Sequence, residues 1–342
     1  MSDLPPPEKV LIIKPSALGD VVTAVPVLRG LRRTFPAARV DWLVGSAHAE
    51  LIAHDSALDE VVLFERRRLG RAWRSPSATA ELARLLKRLR RARYDWVLDL
   101  QGLLRSGMLT RATAAPVRAG FADAREGAWL FYTHRVLPAE PHTVDRNLAV
   151  ARELGVDARG EDLRLEVAAE AREAVEALLA GAGLSGRRFL LVVPPTRWAT
   201  KRYPVARWRE VVQHLTADCP VALAGGPGDR EACGEIADGL AGACNLAGRT
   251  SVSELVALTA CAAGVVCCDS AAKFIAAAVG TPPLVLTGPT QPERTGPYRL
   301  GRALWAEVPC RGCLRKRCPH VTCMQAISPA AVAAAARELF PA

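Results

Sequence analysis

The sequence predicts an α/β protein of two Rossmann-like domains, each a parallel sheet covered by helices, facing each other across a cleft. Three observations lead there. The chain has 342 residues, about twice the length of one ordinary domain. Its strand candidates are short, continuous apolar runs, as expected of strands buried on both faces. Helix-like segments separate those runs, as crossovers between parallel strands require. Half of the residues are hydrophobic, which suffices for two cores.

In the first half the strand candidates are "VLIIKP" (10–15), "VDWLVG" (40–45) and "WVLDLQG" (96–102). After the first comes a tight Gly turn, then "TAVPVLRGLRRTF", read as a helix. Leu82, Leu85, Leu86 and Leu89 follow helical spacing and predict a helix that packs inward. The stretch 166–186, "EVAAEAREAVEALLAGAGLSG", reads as a helix ending in glycines at the start of the second half. Beyond it the strand candidates are "FLLVVPP" (189–195), "VALAGGP" (221–227), "VVCCDS" (265–270) and "PLVLTGP" (283–289). The domains expected are 1–160 and 161–327, with a closing helix, 328–342, that could cross back to the first domain.

Charge narrows the partners. The net charge is +10, and residues 66–93 alone carry eleven Arg or Lys against the single acid Glu81. Such a face suits water, an anionic acceptor, an anionic membrane surface or nucleic acid. With aromatic content of only 5% and no recognisable binding module, no nucleic-acid partner is expected. The apolar runs fall short of the ~20 residues of a membrane span. "MSDLPPPEKV" has no signal-peptide pattern, so a cytoplasmic protein is expected.

Ligands of open parallel sheets sit at the carboxyl ends of the strands. Those ends carry Asp20, Asp99 with Gln101, "PPTRWATKR" (194–202), "GGPGDRE" (225–231), Asp269 and "TGPTQPERTGPY" (287–298). No GxGxxG follows the first strand and no GxxxxGK[ST] occurs, which argues against the common dinucleotide and P-loop sites. Asp20, before "VVTAVP", reads as a helix cap.

Five segments, in order, resemble glycosyltransferase family 9, the ADP-heptose:lipopolysaccharide heptosyltransferases, over nearly the whole chain. They are "LIIKPSALGDVVTAVPVLRGLRRTFP", "YDWVLDLQGLLRS", "HTVDRNLAVARELG", "PPTRWATKRYPVARW" and "CCDSAAKFIAAAVGTPPLVLTGPTQPERTGPY". The resemblance implies a GT-B fold and an inverting transfer that needs no metal or other cofactor. It implies that Asp20 is the catalytic base and that Lys201 meets the donor phosphates, with Thr196 and Arg197 beside it. Glu231, Thr250, Asp269, Ser270, Gly288 and Thr290 align with further donor contacts. Arg67, Arg68, Arg71, Asp99, Gln101, Arg105, His142 and Arg146 fall on the acceptor side. The implied partners are ADP-heptose and an anionic lipid A–Kdo acceptor, met by a cytoplasmic protein at the inner face of the cytoplasmic membrane. Another nucleotide sugar or glycan acceptor, or a non-catalytic nucleotide-sugar-binding protein, are the alternatives. The last is motivated by Ala271 and Phe274, which replace a glycine and a histidine of the family's donor loop.

Of ten cysteines, six sit in apolar stretches and read as core filling. The other four, Cys310, Cys313, Cys318 and Cys323, are spaced C-x2-C-x4-C-x4-C, a pattern for a structural zinc or iron, a redox pair or free thiols.

Overall fold

The computed structural model describes residues 4–70 and 74–341, the side chain of Arg67 excepted. It divides into two compact units between Leu163 and Arg164. The first holds β1 (Lys9–Ile13), β2 (Arg39–Gly45), β3 (Glu60–Phe64), β4 (Trp96–Asp99), β5 (Val117–Phe121) and β6 (His134–Val136). They form one sheet in the order β3-β2-β1-β4-β5-β6, and all its pairings are parallel. The second unit holds β7 (Leu190–Val193), β8 (Val221–Leu223), β9 (Ala243–Asn245), β10 (Gly264–Cys268), β11 (Pro283–Leu286) and β12 (Arg302–Leu304). Its order, β12-β11-β10-β7-β8-β9, is the same arrangement read from the other end. Both are Rossmann sheets, and in each the order reverses beside the first strand, between β1 and β4 and between β7 and β10.

The apolar runs became the inner strands. Val10 to Ile13, Leu190 to Val193 and Val265 to Cys268 are all buried, because helices cover both faces. Five strands lie outside the expected set: β3, β5, β6, β9 and β12. Four of these end or neighbour a sheet edge, where one side meets water and Leu63 stays half exposed. β5 is interior, but its "VRAGF" contains Gly120, whose missing side chain makes room for the Tyr132 ring.

The helix expected over 23–35 is Val25–Thr34, and a short helix, Leu18–Val22, precedes it in the turn. Pro26 has no N–H to continue the short helix and suits the opening turn of the longer one. The basic helix Pro76–Arg91 is capped by Ser75, whose Oγ accepts from Ala78 N–H at 3.4 Å. It buries Leu85 and Leu89, with Leu82 and Leu86 packed beside them, so its arginines face outward. Burying each such leucine stabilises the fold by roughly 1.5–3 kcal/mol.

The closing helix, Pro329–Leu339, packs against helix Val205–Thr216 of the second unit. Its stripe of Val332, Ala333, Ala335 and Ala336 joins the core that contains Trp208 and Val212. Among the described residues no helix is long and apolar enough to cross a membrane.

Candidate active site

The reversal of strand order opens a crevice at the carboxyl ends of β1 and β4, and there the first unit gathers its polar side chains. Lys14 leaves β1 and turns inward. It is buried, and its Nζ donates to Leu100 O. Burial lowers its pKa, while the charges of Asp20 and Asp99 work in the opposite sense. Asp20 is half-buried in the first turn of helix Leu18–Val22, where its carboxylate accepts from Ala17 N–H at 3.0 Å. It is not the N-cap residue, which is Ala17. The side chain therefore anchors the loop through one oxygen, Oδ2, and stands beside a buried lysine.

Asp99, the last residue of β4, has no exposed surface. Its Oδ1 accepts from the N–H groups of Gln101 (2.9 Å) and Gly102 (3.2 Å), and its Oδ2 from Tyr132 OH (2.7 Å). Burial raises its pKa against these bonds, the Tyr132 hydroxyl foremost. Expected on the acceptor side, Asp99 is buried in this structure and shapes the 100–102 loop. Gln101 then reaches across, its Oε1 accepting from Ser16 N–H at 3.2 Å. Ser16, Phe64, Arg66, Gln101, Arg105 and Glu126 line a cavity of about 140 Å³.

The remaining acceptor-side residues are already engaged within the unit. Arg146 donates to both oxygens of Asp123 at 2.7 Å and lies over the Phe121 ring. His142 caps helix Thr143–Glu153 by accepting from Val144 N–H. Arg68 pairs with Glu81 at 2.7 Å. The side chain of Arg67 and all of Arg71 lie outside the described residues.

In the second unit the crevice lies at the ends of β7 and β10. Asp269 follows β10 and is buried between two lysines. Lys201 Nζ donates to its Oδ2 at 2.8 Å, and Lys273 Nζ to its Oδ1. Burial alone would raise the Asp269 pKa, but Lys273 and then Lys201 outweigh it and hold the carboxyl far below the ordinary range. Two ammonium groups on one carboxylate leave a surplus positive charge. Lys201, over the Trp198 ring at 4.5 Å, is the more exposed of the pair. Thr196 Oγ1 bonds Asp269 O at 3.3 Å and Ser270 Oγ accepts from Ala272 N–H. Exposed Arg197 adds charge nearby, while Glu231 and Thr250 follow the neighbouring strands β8 and β9.

Two departures in this loop acquire a physical account. Ala271 has φ −62°, ψ −28°, so no glycine is needed for the backbone there. Phe274 is buried, and Lys273 lies over its ring at 4.2 Å.

The turn after β11 holds Gly288 and Thr290. A Cβ on Gly288 would stand 2.6 Å from Met324 Sδ and 2.9 Å from Cys323 Sγ. That glycine is explained by packing against the cysteine segment. The buried Thr290 hydroxyl has no hydrogen-bond partner among the described residues.

All ten cysteines are free thiols, though Cys261 is exposed rather than core. Cys310, Cys313, Cys318 and Cys323 line one cavity of about 270 Å³ together with Thr200 and His320. Val321 N–H donates to Cys318 Sγ at 3.4 Å. As they stand, the thiols line a cavity and do not surround an ion: among the described residues no three His, Cys, Asp or Glu are grouped closely enough to hold a metal. The segment is nevertheless tied to the second-unit site. Gly312 N–H donates to Gly288 O (3.0 Å), Leu314 N–H to Pro289 O (2.7 Å), and Thr200 Oγ1 to Arg315 O (2.9 Å).

Lys14, Tyr132, Arg66 and Lys273 were not among the site residues read from the sequence. Lys14 had a signal, a lysine directly after the first apolar run, whereas Tyr132 reaches Asp99 from 33 residues away and carries none.

The site can be set beside known proteins. A family model described as glycosyltransferase family 9 (heptosyltransferase) matches residues 82–323. Lipopolysaccharide heptosyltransferase 1 of Pseudomonas aeruginosa is 33% identical over 319 residues, which cover 91% of this chain and 88% of that one. The enzyme of the same name from Escherichia coli K12 is 29% identical, covering 85% and 91%. Escherichia coli heptosyltransferase WaaC, solved with ADP, superposes with a TM-score of 0.78 at 25% identity over 96% of this chain and 99% of that one.

Proposed function

The chain belongs to glycosyltransferase family 9 and is a glycosyltransferase, and from that premise we propose that it moves heptose from ADP-heptose to a Kdo-containing inner-core lipopolysaccharide acceptor, with inversion. The observation that carries the reading is the Lys201–Asp269–Lys273 cluster. Its surplus positive charge suits a departing nucleoside diphosphate.

In the proposed step an acceptor hydroxyl attacks the anomeric carbon on the face opposite ADP. Asp20 takes the hydroxyl proton as the new C–O bond forms. The bond from the anomeric carbon to the ADP oxygen breaks, and ADP leaves with the electron pair. Lys201 meets the growing negative charge on the phosphates, so the transfer itself calls for no metal. Asp269, held ionised, accepts from sugar hydroxyls. Lys273 keeps Asp269 charged and placed. Lys14 places its side chain within electrostatic reach of Asp20.

The acceptor would enter by the cavity at Gln101 and Arg105, where guanidinium groups suit Kdo carboxylates and lipid A phosphates. Such an acceptor places a cytoplasmic enzyme peripherally on the inner membrane face. A structural zinc or iron at the cysteines requires exposed Cys310 and Cys313 to close on Cys318 and Cys323. The test of function is incubation with ADP-heptose and Kdo-lipid A, following ADP release and product mass. Binding of the donor without ADP release would instead favour the non-catalytic alternative.

A further inference from the structure

We propose that the outer face of helix Leu104–Thr113, with the turn 125–131 packed on it, docks on an anionic lipid bilayer and so presents the acceptor cavity to a membrane-anchored sugar. The inference rests on the glycolipid acceptor proposed above. A helix on a water-facing surface ordinarily turns polar residues outward. This helix buries Gly107, Leu109 and Thr110, yet it exposes Leu104 (42%) and Met108 (57%), one turn apart. Gly107 lets the turn approach: a Cβ there would lie 2.7 Å from the Phe131 ring and 3.1 Å from Ala128 O. Leu104 N–H also donates to Glu126 at 3.2 Å. From the turn, Trp129 (37%) and Leu130 (62%) add their exposed surface. Four large apolar side chains on two packed elements exceed the single exposed ones usual on soluble proteins.

The surrounding charge says what covers them. Arg105, Arg111 and Arg125 stand on the same two segments, and none is in an ion pair among the described residues. Arg135 lies over the Trp129 ring at 4.9 Å. Glu126 is the single acid on the two segments. A second copy of this face would oppose arginine to arginine, whereas anionic headgroups neutralise them. Trp, Leu and Met sink into the headgroup boundary while arginines extend to phosphate. Arg105 and Glu126 also line the cavity that holds Gln101 and Ser16. The apolar face therefore continues into the acceptor cavity.

The test is co-sedimentation of the full chain with vesicles of phosphatidylethanolamine and phosphatidylglycerol, and with vesicles of phosphatidylcholine alone. Binding should favour the anionic vesicles. It should fall about tenfold in Met108→Ser/Leu130→Ser and lose its salt sensitivity in Arg111→Gln/Arg125→Gln, since screening acts on exposed charge. Transfer to bilayer-embedded acceptor should fall in parallel, with transfer to a deacylated, water-soluble acceptor unchanged. Vesicle binding that is unaffected in both double variants overturns the proposal. So does a wild-type dimer that Met108→Ser/Leu130→Ser dissociates, because the patch is then a self-association surface. Altered vesicle binding in a protein that transfers to neither acceptor supports the surface and instead removes the proposed function.

Discussion

Replacing Lys273 with Met keeps the length of the side chain and deletes one of the two ammonium groups on Asp269. Lys273 and Asp269 are only 3% and 4% exposed, so solvent screens little of their attraction. Removing one partner of a buried pair typically costs about 3–5 kcal/mol. Lys201 remains at 2.8 Å, which places the expected loss near the lower end, about 3 kcal/mol. For a unit the size of residues 164–342 this is a fall in Tm of roughly 6–12 °C. The pH dependence gives a second reading. A carboxyl whose folded pKa is depressed adds stability above its unfolded pKa of about 3.9 and loses it as pH falls through the folded value. The wild-type value lies below the ordinary range. In Lys273→Met it rises, because burial then opposes a single lysine. The deficit should therefore be full at pH 7 and shrink below about pH 4. Thermal melts of both proteins from pH 3 to pH 8 measure it. A variant within about 0.5 kcal/mol of wild type at pH 7, with a parallel pH profile, would refute the reasoning.

Four other perturbations test separate parts. Asp20→Asn should lower kcat by about 10²–10⁴-fold with donor Kd unchanged, and near-normal turnover would return Asp20 to a purely structural role. Lys201→Ala should weaken donor binding at least about tenfold by calorimetry, since it removes the more accessible ammonium of the cluster. Gly288→Ala should cost about 1–3 kcal/mol because its Cβ collides with Met324 and Cys323; an unchanged denaturation midpoint would mean the segment yields freely. Metal analysis of untagged protein should find one zinc or iron per chain, lost in Cys310→Ser, if the thiols close on an ion. Four titratable thiols and no metal would remove the site.

The inner strands were legible in the sequence because burial on both faces demands unbroken apolar runs, and β1, β2, β4, β7, β8, β10 and β11 have them. Short edge strands such as β6 and β12 leave no such trace, since neighbours supply their pairing. Site residues at strand ends were legible for the same topological reason, and Asp20, Lys201 and Asp269 all stand there. Which of them are free to meet a ligand was not legible. Asp99 in "VLDLQG" gives no sign that Tyr132 and two backbone N–H groups bond its oxygens. Lys273 gives no sign of its partner in the sequence, and only the helical turn from Asp269 to Lys273 shows that its charge goes to the carboxylate. Gly288 reads as a phosphate-loop glycine, yet its neighbours are two sulfur-bearing side chains that follow more than 30 residues later.

The central claim is heptosyl transfer with Asp20 as the base, and single-turnover transfer by the wild type and by Asp20→Asn tests it most directly. Wild-type protein, premixed with ADP-heptose and rapidly combined with Kdo-lipid A, should yield one heptose per acceptor with equal release of ADP. Asp20→Asn should lower that single-turnover rate by about 10²–10⁴-fold while binding ADP-heptose as tightly as before. An Asp20→Asn protein that keeps the wild-type rate would contradict the account.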